Sequence, residues 1–477
     1  MTSTYAQDDS GDAGDEVFDV IVVGAGPAGE NAAGRCADGG LRVVIVEREL
    51  VGGECSYWGC MPSKVLLRAG EVLAAARRVP GAAEAITGQL DVAAALARRD
   101  RTVSHFDDAG QLPWLVDKHI TLVRGAARLS GERSLAVTAA DGTKRTLRAT
   151  TAVVVATGTT AAIPPIPGLR EAAPWDNRDI TATTRIPARL LVLGGGAIGV
   201  EMAQAMRRLG STEVTVVESL GRLLPREEPF AGDELARAFA QEGITVITGV
   251  AMSEVSRDGA AGPFTATLAD GRQIVADELL VAVGRRPSTT DLGLETVGLE
   301  PGHPVAVDDQ LRATGVDGGW LFAVGDCNGR SLLTHMGKYQ ARIAGDVILG
   351  RTAAATSDHD AVPRVTFTDP QVCAVGLTEA RAREAGRNIR IVDTPVGGVA
   401  GAHTLGDGIK GTARLVIDED RRVVIGATFT GPGTAELLHA ATIAIVGAVT
   451  LDRLWHAVPS FPTLSEVWLR LLEAYGL

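Results

Sequence analysis

Two cysteines near the start of the chain, Cys55 and Cys60, stand in a setting that favours redox chemistry. Pro62 suits the first turn of a helix, because the N–H that proline lacks would have no partner there. Cys60 would then lie at a helix N-terminus with Lys64 one turn further on, and both the helix dipole and the ammonium group stabilise a thiolate. The spacing allows a disulfide if the turn between the cysteines is suitably wound. Two unrelated buried thiols are the alternative.

The other three cysteines, Cys36, Cys327 and Cys373, lie among apolar or small residues. Five cysteines are too few for a disulfide scaffold in a chain of 477 residues. We therefore predict that these three thiols are buried and inert. No spacing of His, Cys, Asp or Glu along the sequence indicates a metal site.

The elements that would position this chemistry are strand–turn–helix units with glycine-rich turns. In the first unit an apolar run, residues 18–23, leads into Gly24, Gly26 and Gly29, and the next strand ends on Glu47. Such glycines permit a tight turn, the close approach of a pyrophosphate and the packing of helix on strand, while the acid accepts ribose hydroxyls. The pattern predicts a dinucleotide site, with a plain structural turn as the alternative.

The same pattern returns later in the chain, with Gly194, Gly196 and Gly199 in the turn and Glu218 at the end of the following strand. Two such units predict two bound dinucleotides, between which a hydride can pass; a duplicated unit with one dead site is the alternative. A carboxylate at Glu218 favours the free 2′-hydroxyl of NADH over the 2′-phosphate of NADPH. Arg222 lies close enough in sequence to leave NADPH open.

Composition limits the partners. The net charge is −12 and the sequence has no basic cluster, so nucleic acid is not an expected partner. Residues 1–16 are polar and acidic, unlike a signal peptide, and predict a disordered tail. The apolar stretch 440–449 is too short to span a bilayer. These features predict a cytoplasmic protein without a membrane partner.

Several motifs, taken together and in this order, resemble those of the class I pyridine nucleotide-disulfide oxidoreductases, the family of lipoamide dehydrogenase, glutathione reductase and mercuric reductase. The resemblance covers nearly the whole chain. The motifs are residues 52–64 around the cysteines, 155–158, 284–287, 323–326, 367–370 and 462–466. The resemblance implies an α/β fold with two Rossmann-like domains, for FAD and for NAD(P)H, and a C-terminal α+β dimerisation domain, and hence a homodimer.

The resemblance also implies roles for single residues. Cys60 would lie nearest the flavin and Cys55 would be the outer thiol that meets a substrate, while Lys64 would pair with Glu201 beside the flavin and stabilise its negative charge when reduced. FAD would be held by Gly24, Gly26, Gly29, Glu47, Gly53, Lys64, Thr157, Gly158 and Asp326. NAD(P)H would be held by Gly194, Gly196, Gly199, Glu218 and Gly284. The alternatives are a helix N-cap for Asp326 and a surface glutamate in a first turn for Glu201.

The motifs also predict the division of the chain. After the tail, residues 17–158 would form the first part of the FAD-binding domain, with a helical excursion at about 62–115. Residues 159–286 would form the NAD(P)H-binding domain and 287–355 the return segment of the FAD-binding domain. Residues 356–477 would form the dimerisation domain.

One departure from the family pattern bears on function. The disulfide-reducing members carry a histidine before the Pro-Thr of the C-terminal motif, and that histidine moves protons to and from the outer thiol across the dimer. A glutamate, which aligns with Glu466, orients the histidine. Here the histidine position is Phe461, which cannot transfer a proton. His456 could replace it, although a solvated or packed histidine is the stronger expectation.

Bulky rings at Tyr57 and Trp58, where the family has smaller residues, would make the acceptor pocket more apolar, or would only fill space. The leading functional hypothesis is an FAD-dependent NAD(P)H oxidoreductase with a redox disulfide of Cys55 and Cys60, which passes electrons to a quinone-like or other non-standard acceptor. The second is a specialised disulfide reductase or dithiol oxidase. The third is a redox sensor or complex subunit without turnover.

Overall fold

The computed structural model describes residues 16–259 and 261–477. The predicted tail lies outside the described residues except for Glu16. Within the described residues the strands are β1 (Glu16–Val23), β2 (Val43–Glu47), β3 (Thr121–Arg124), β4 (Ala126–Gly131), β5 (Ser134–Thr138), β6 (Lys144–Val155), β7 (Thr159–Ala161), β8 (Arg189–Leu193), β9 (Glu213–Glu218), β10 (Ile244–Thr248), β11 (Met252–Arg257), β12 (Phe264–Leu268), β13 (Gln273–Ala276), β14 (Glu278–Val281), β15 (Arg285–Pro287), β16 (Leu321–Ala323), β17 (Arg364–Thr366), β18 (Gln371–Gly376), β19 (Ile389–Pro395), β20 (Thr412–Asp418) and β21 (Val423–Gly431). The α-helices are α1 (Pro27–Asp38), α2 (Gly53–Tyr57), α3 (Cys60–Arg77), α4 (Val92–Thr102), α5 (Leu112–Asp117), α6 (Asn177–Ala182), α7 (Ala197–Leu209), α8 (Pro229–Gln241), α9 (Thr334–Ile348), α10 (Ser357–Asp360), α11 (Glu379–Glu384), α12 (Ala400–His403), α13 (Leu438–Val446), α14 (Leu451–Leu454) and α15 (Glu466–Tyr475).

The described chain divides into two compact units. The first unit contains residues 16–53, 107–159 and 287–355, and the second contains residues 54–106, 160–286 and 356–477. The finer division predicted from the motifs stays a prediction.

The first unit is built on one sheet with the order β3-β2-β1-β6-β5-β4, in which β16 also pairs with β6. Strands β3, β2, β1, β6 and β16 are parallel, and β5 and β4 add an antiparallel extension. β2 is buried along its whole length, as expected for a Val/Ile-rich parallel strand that is covered on both faces. Helices α1 and α9 pack on each other and form one helical layer of this unit.

The second unit contains three sheets of three or more strands. Strands β10, β9, β8 and β14 form a parallel sheet, and β11, β12 and β13 form an antiparallel one. The C-terminal strands form an antiparallel sheet with the order β17-β18-β21-β20-β19, against which α13 and α15 pack. The parallel sheets of both units follow strand–glycine turn–helix–strand patterns. The fold is therefore the α/β class that the sequence predicts, with a C-terminal α+β portion.

Neither a membrane-crossing helix nor a cluster of metal ligands occurs among the described residues. None of the helices there combines the length and the low polarity that crossing a membrane requires. Within residues 16–259 and 261–477, no three His, Cys, Asp or Glu side chains cluster in a way that could hold a metal ion.

Candidate active site

The first glycine turn is closed by backbone contacts that leave no room for side chains. Gly24 has φ +100°, a conformation that favours glycine, and a Cβ there would lie 2.5 Å from the carbonyl oxygen of Ala156 at the end of the neighbouring strand. A Cβ on Gly29 would overlap the carbonyl oxygen of Gly24. Gly24 and Gly29 therefore let β1, β6 and α1 meet closely, as the fingerprint predicts.

The start of α1 is suited to an anion. Gly26 is the N-cap residue, and none of the described side chains caps this helix, so its first N–H groups can serve a phosphate. A Cβ on Gly53 would lie 2.7 Å from the Cα of Gly26. Glycine at both positions therefore lets these two backbone segments lie close together. The side chain of Glu47 is buried, and its two carboxylate oxygens accept the N–H groups of Ala25 and Glu49, each at 2.7 Å. Each oxygen keeps a lone pair for a ribose hydroxyl, so these residues fit the ADP half of FAD.

Burial also acts on a second carboxyl in α1. It raises the pKa of Glu30, in the first turn, to about 7; Lys338 opposes this shift and Glu47 reinforces it. Glu30 therefore keeps part of its proton at neutral pH, and it brings less negative charge to this helix start than an ionised carboxylate would.

The segment that resembles the flavin ribityl site is held by a buried amide. Gln340 in α9 is fully buried, and its Oε1 accepts the N–H of Gly325 at 2.8 Å and the side-chain amide of Asn328 at 2.8 Å. The Oδ2 of Asp326 accepts the hydroxyl of Thr159 at 2.9 Å. Gln340 thus fixes the turn that carries Asp326, and sequence reasoning missed it; an uncharged polar residue within an apolar helix face is the only signal for it.

Two further predicted flavin residues, Thr157 and Gly158, directly follow β6 in the same unit. Gly158 has φ +67°, and a Cβ built there would meet open space. Only the backbone conformation, and no packing contact, therefore favours glycine at this position. Gly24, Glu47, Thr157 and Asp326 follow or end β1, β2, β6 and β16, at the edge where ligands bind in parallel sheets.

The second glycine turn repeats the first. Gly194 has φ +111° and a Cβ there would lie 2.5 Å from the carbonyl oxygen of Ala282, while a Cβ on Gly199 would overlap the carbonyl oxygen of Gly194. Gly196 caps α7 with open space around its Cβ position, and none of the described side chains caps this helix. Gly284 lies beyond the end of β14 in the same sheet. The residues therefore fit a second dinucleotide.

Glu218 and Arg222, which follow this second turn, have different hydrogen-bond partners. Glu218 is buried, and its carboxylate oxygens accept the N–H groups of Gly195 and Leu220, both at 2.8 Å, as Glu47 does in the first turn. Arg222 instead donates from Nη2 to the carbonyl oxygens of Pro225, at 2.9 Å, and Glu227, at 3.3 Å. The guanidinium of Arg222 is therefore engaged by its own loop.

The cysteines lie on either side of a tight turn in the second unit. α3 begins at Cys60, as predicted, and α2 carries Cys55, so a short link joins the two helices. The N–H of Trp58 donates to the carbonyl oxygen of Glu54 at 2.8 Å, and a Cβ on Gly59 would lie 3.3 Å from the Cα of Cys55. The chain thus folds back on itself between the two cysteines. Cys55 is half-buried and Cys60 is exposed.

The two bulky rings in this turn are packed against protein. Tyr57 is 2% exposed, so it fills the core. Trp58 is half-buried and its ring stacks on Phe106, with 6.0 Å between centroids, and lies 4.2 Å from the guanidinium carbon of Arg178. The space-filling reading therefore describes Tyr57 better than the acceptor-pocket reading.

The other cysteines confirm their prediction as buried thiols. Cys36, Cys327 and Cys373 have no exposed surface. Burial raises the pKa of each of these thiols to about 12, and nearby carboxylates reinforce the shift, Asp346 at Cys36 and Asp326 at Cys327. A thiol with so high a pKa is almost entirely protonated at neutral pH and is a poor nucleophile.

An ion pair joins α3 to α7 beside the cysteine turn. Lys64 Nζ lies 2.8 Å from Glu201 Oε2, which is the pairing that the family resemblance implies. The other oxygen of Glu201 accepts the N–H of Phe367 at 2.9 Å, and the Phe367 ring centroid lies 5.0 Å from Lys64 Nζ. Glu201 is 3% exposed, so it is not the surface glutamate of the alternative reading. The contact with Phe367 was not foreseen from the sequence, because it depends on a segment far along the chain.

Comparison with known proteins matches this arrangement to one family. Residues 18–341 match the family model described as pyridine nucleotide-disulphide oxidoreductase, and residues 362–471 match the dimerisation domain of the same family. The chain belongs to this family. It is accordingly a flavoprotein oxidoreductase that uses NAD(P)H.

Individual relatives cover almost the whole chain. A dihydrolipoyl dehydrogenase of Chlorobaculum tepidum is 35% identical over 456 residues, which is 94% of this chain and 95% of that protein. A mercuric reductase of Staphylococcus aureus is 29% identical over 453 residues, 94% of this chain and 81% of that protein. The solved structure of the HOCl-induced flavoprotein disulfide reductase RclA from Escherichia coli, as a Cu(II) complex, is similar with a TM-score of 0.84 and 26% identity, covering 96% of this chain and 99% of that one.

Phe461, His456 and Glu466, the residues considered above for proton transfer, follow α14 in the C-terminal segment. Phe461 is 76% exposed, and His456 is also exposed, beyond the end of α14. Glu466 begins α15 and is 7% exposed, and its Oε2 is buried without a hydrogen-bond partner among the described residues. A buried carboxylate oxygen normally has a donor. Glu466 Oε2 can therefore accept a further hydrogen bond, and the Phe461 side chain has no donor group.

Proposed function

We propose that this oxidoreductase oxidises NADH through bound FAD and delivers the electrons to a quinone-like acceptor. The observation that carries the proposal is the pair formed by an exposed Phe461 and a buried Glu466 with an unpartnered Oε2. Reduction of a disulfide needs protons at the leaving thiolates, and a positioned acid–base side chain supplies about 10²–10⁴-fold in rate. A quinone has no leaving thiolate to protonate, and its oxygens are protonated without a dedicated relay: NADH, one proton from solvent and the quinone give NAD⁺ and the hydroquinone.

Each residue would have a stated task in this reaction. When bound, FAD supplies a carrier that accepts a hydride from NADH and passes two electrons to a second substrate. The N–H groups at Gly26 would bind its pyrophosphate, Glu47 its ribose, and Asp326 its ribityl chain. Lys64, oriented by Glu201, would stabilise negative charge that develops during reduction. These assignments rest on the family match together with the hydrogen bonds described above.

The preference for NADH over NADPH belongs to the same proposal. Glu218 would meet the ribose of the nicotinamide dinucleotide with a carboxylate, which repels a 2′-phosphate. The nearby cation, Arg222, donates to the carbonyl oxygens of its own loop, which supports a structural task for it. The cytoplasmic location predicted from the sequence also remains part of the proposal.

A homodimer is the assembly that we propose. The C-terminal residues match the dimerisation domain of the family. Their surface exposes large apolar side chains that water solvates poorly, and a second copy of the chain would cover them. These side chains are Ile443, Val446, Trp455, Val458 and Phe461.

A second candidate is a specialised disulfide reductase or a dithiol oxidase. It is favoured by Cys60, which is exposed at the N-terminus of α3, where the helix dipole stabilises a thiolate. The relatives named as dihydrolipoyl dehydrogenases point the same way. The exposed phenylalanine at 461 opposes it, since no proton-transferring group stands there.

The variant Cys55→Ser separates these candidates. Steady-state NADH oxidation would be measured with a bicyclic quinone, with lipoamide and with a low-molecular-weight disulfide, for the wild type, Cys55→Ser and, as a matched control, Ser56→Ala. We expect quinone turnover by Cys55→Ser to stay within about twofold of the wild type, because the electrons would leave the flavin without passing through the thiols. Loss of turnover with every acceptor would favour the disulfide chemistry instead. A wild type that turns over none of the acceptors would favour a sensor.

A further inference from the structure

The turn between the cysteines is held by a helix from a distant part of the sequence. The carbonyl oxygen of Trp58 accepts two hydrogen bonds from α6, from Asn177 Nδ2 and from Thr181 Oγ1, both at 3.1 Å. The N–H of Trp58 donates to Glu54, at the start of the same turn. We refer to residues 54–60 as the redox turn. Both polar backbone groups of Trp58 are therefore occupied.

Asn177 contacts two residues of the redox turn at once, Glu54 and Trp58. Its Nδ2 donates to Glu54 Oε1 at 2.7 Å as well as to Trp58, and its Oδ1 accepts from Arg285 Nη1 at 3.0 Å. Arg285 Nη2 in turn donates to Glu54 Oε1 at 2.6 Å. Both amide hydrogens and the carbonyl oxygen of Asn177 are engaged, and the residue is 7% exposed. Aspartate at this position would lack both donors and would place a second negative charge beside Glu54.

The side chain of Trp58 is fixed by the same helix. The guanidinium of Arg178 lies 4.2 Å from the indole centroid and 3.7 Å from Glu54 Oε2. Phe106 stacks on the indole as well. Stacking and charge thus supplement the hydrogen bonds to the backbone.

Helix α6 is itself anchored at both ends, so it can act as a rigid support. At its start Asp176 and Asp179 form a capping box. At its end the guanidinium of Arg99, which is 1% exposed, donates to the carbonyl oxygens of Thr181 and Thr183. A buried arginine that satisfies helix C-terminal carbonyls removes the fraying expected of so short a helix.

We propose that Asn177 is a positioning residue that sets the equilibrium between the dithiol and the disulfide of Cys55 and Cys60. The inference rests on the second candidate function, in which these two cysteines undergo redox chemistry. Two thiols close to a disulfide more readily when the chain between them is already ordered, because closure then costs less conformational entropy. Asn177 joins the beginning of the redox turn to Trp58, two residues before Cys60, and so it holds the chain folded back between the sulfurs.

The test measures the equilibrium itself rather than turnover. The purified holoenzyme would be equilibrated without oxygen in mixtures of reduced and oxidised dithiothreitol, in which two electrons and two protons pass from the protein dithiol to the oxidised reagent. Acid quenching, alkylation and mass spectrometry of the peptide that contains Cys55 and Cys60 would give the fraction of disulfide. For Asn177→Ala we expect the constant for disulfide formation to fall at least tenfold, which is about 30 mV for a two-electron couple.

Three further variants make the result specific. Thr181→Val removes one of the two hydrogen bonds to Trp58, and its constant should fall by a smaller factor. Arg285→Lys replaces Asn177→Ala if the latter does not fold. Lysine keeps the charge but loses the two-pronged guanidinium that joins Glu54 to Asn177, so the constant for disulfide formation should also fall. Asn388→Ala is the control, because Asn388 hydrogen-bonds Asp420 on an exposed surface, and its constant should not change.

The outcomes distinguish this inference from the proposed function. A constant within twofold of the wild type in both Asn177→Ala and Arg285→Lys, even with a lower melting temperature, would overturn the positioning role. A wild type whose two cysteines never form a disulfide in oxidising buffer would instead overturn their proposed redox role.

Discussion

Replacing Phe461 with histidine is expected to raise the NADH-dependent reduction of lipoamide at least tenfold. Glu466 already offers a buried Oε2 without a donor among the described residues, and it begins a well-packed helix. An imidazole that donates one ring N–H to this carboxylate would have its other nitrogen fixed for proton transfer. Acid–base catalysis of this kind contributes about 10²–10⁴-fold, so tenfold is a lower bound for an imperfectly placed ring.

The controls for this prediction use the same segment. Phe461→His combined with Glu466→Gln should lose most of the gain, because glutamine would not stabilise the imidazolium. His456→Ala in the wild-type background should leave all activities unchanged, since His456 is exposed at the end of α14. If Phe461→His leaves lipoamide turnover unaltered, the missing proton relay does not limit the reaction. Loss of turnover in His456→Ala would assign the relay to His456.

Replacing Lys64 with methionine is expected to lower both the stability of the protein and the rate at which NADH reduces the flavin. The change would leave Glu201, 3% exposed, with the N–H of Phe367 as its remaining described partner. Breaking a fully buried ion pair costs about 3–5 kcal/mol, and because the Lys64 side chain is 35% exposed we expect a loss of about 2 kcal/mol. Flavin reduction should slow at least tenfold, because a positive charge near the developing negative charge is removed.

A double variant separates the two effects of Lys64. In Lys64→Met combined with Glu201→Met no buried charge is left unpaired, so the free energy of unfolding should return most of the way to that of the wild type while flavin reduction stays slow. Lys118→Met is the matched control for losing a lysine from an ion pair: the pair with Asp38 is at the surface, and we expect a change within about 0.5 kcal/mol. Denaturant unfolding and stopped-flow absorbance are the measurements. Rapid flavin reduction in the double variant would contradict the charge role of Lys64.

The glycine turns and the acids that follow them could be predicted from sequence because each depends on residues that are close together in the sequence. Each turn lies within one strand–turn–helix unit, and the positive φ angles of Gly24 and Gly194 follow from the turn itself. Glu47 and Glu218 end the strands next to those turns, and both close them with the same two kinds of hydrogen bond. The helix start at Cys60 was predictable for the same reason, since Pro62 fixes it.

The supports of the site could not be predicted, because they join residues that are distant in sequence. Asn177 and Arg285 contact Glu54 from more than a hundred positions away in the sequence. Gln340 contacts Gly325, which is closer in sequence, but the sequence does not show that the two segments pack together. Their residue types alone suggest surface positions, since Asn, Arg and Gln are mostly exposed in proteins. The contact between Trp58 and Arg178 could not be predicted for the same reason.

The most direct test of the central claim is a half-reaction followed by flavin absorbance. The holoenzyme would be reduced without oxygen by one equivalent of NADH and then mixed rapidly with either a bicyclic quinone or lipoamide. The proposal predicts that the quinone reoxidises the flavin at least as fast as steady-state turnover, and that lipoamide does so at least tenfold more slowly. Faster reoxidation by lipoamide than by the quinone would contradict it.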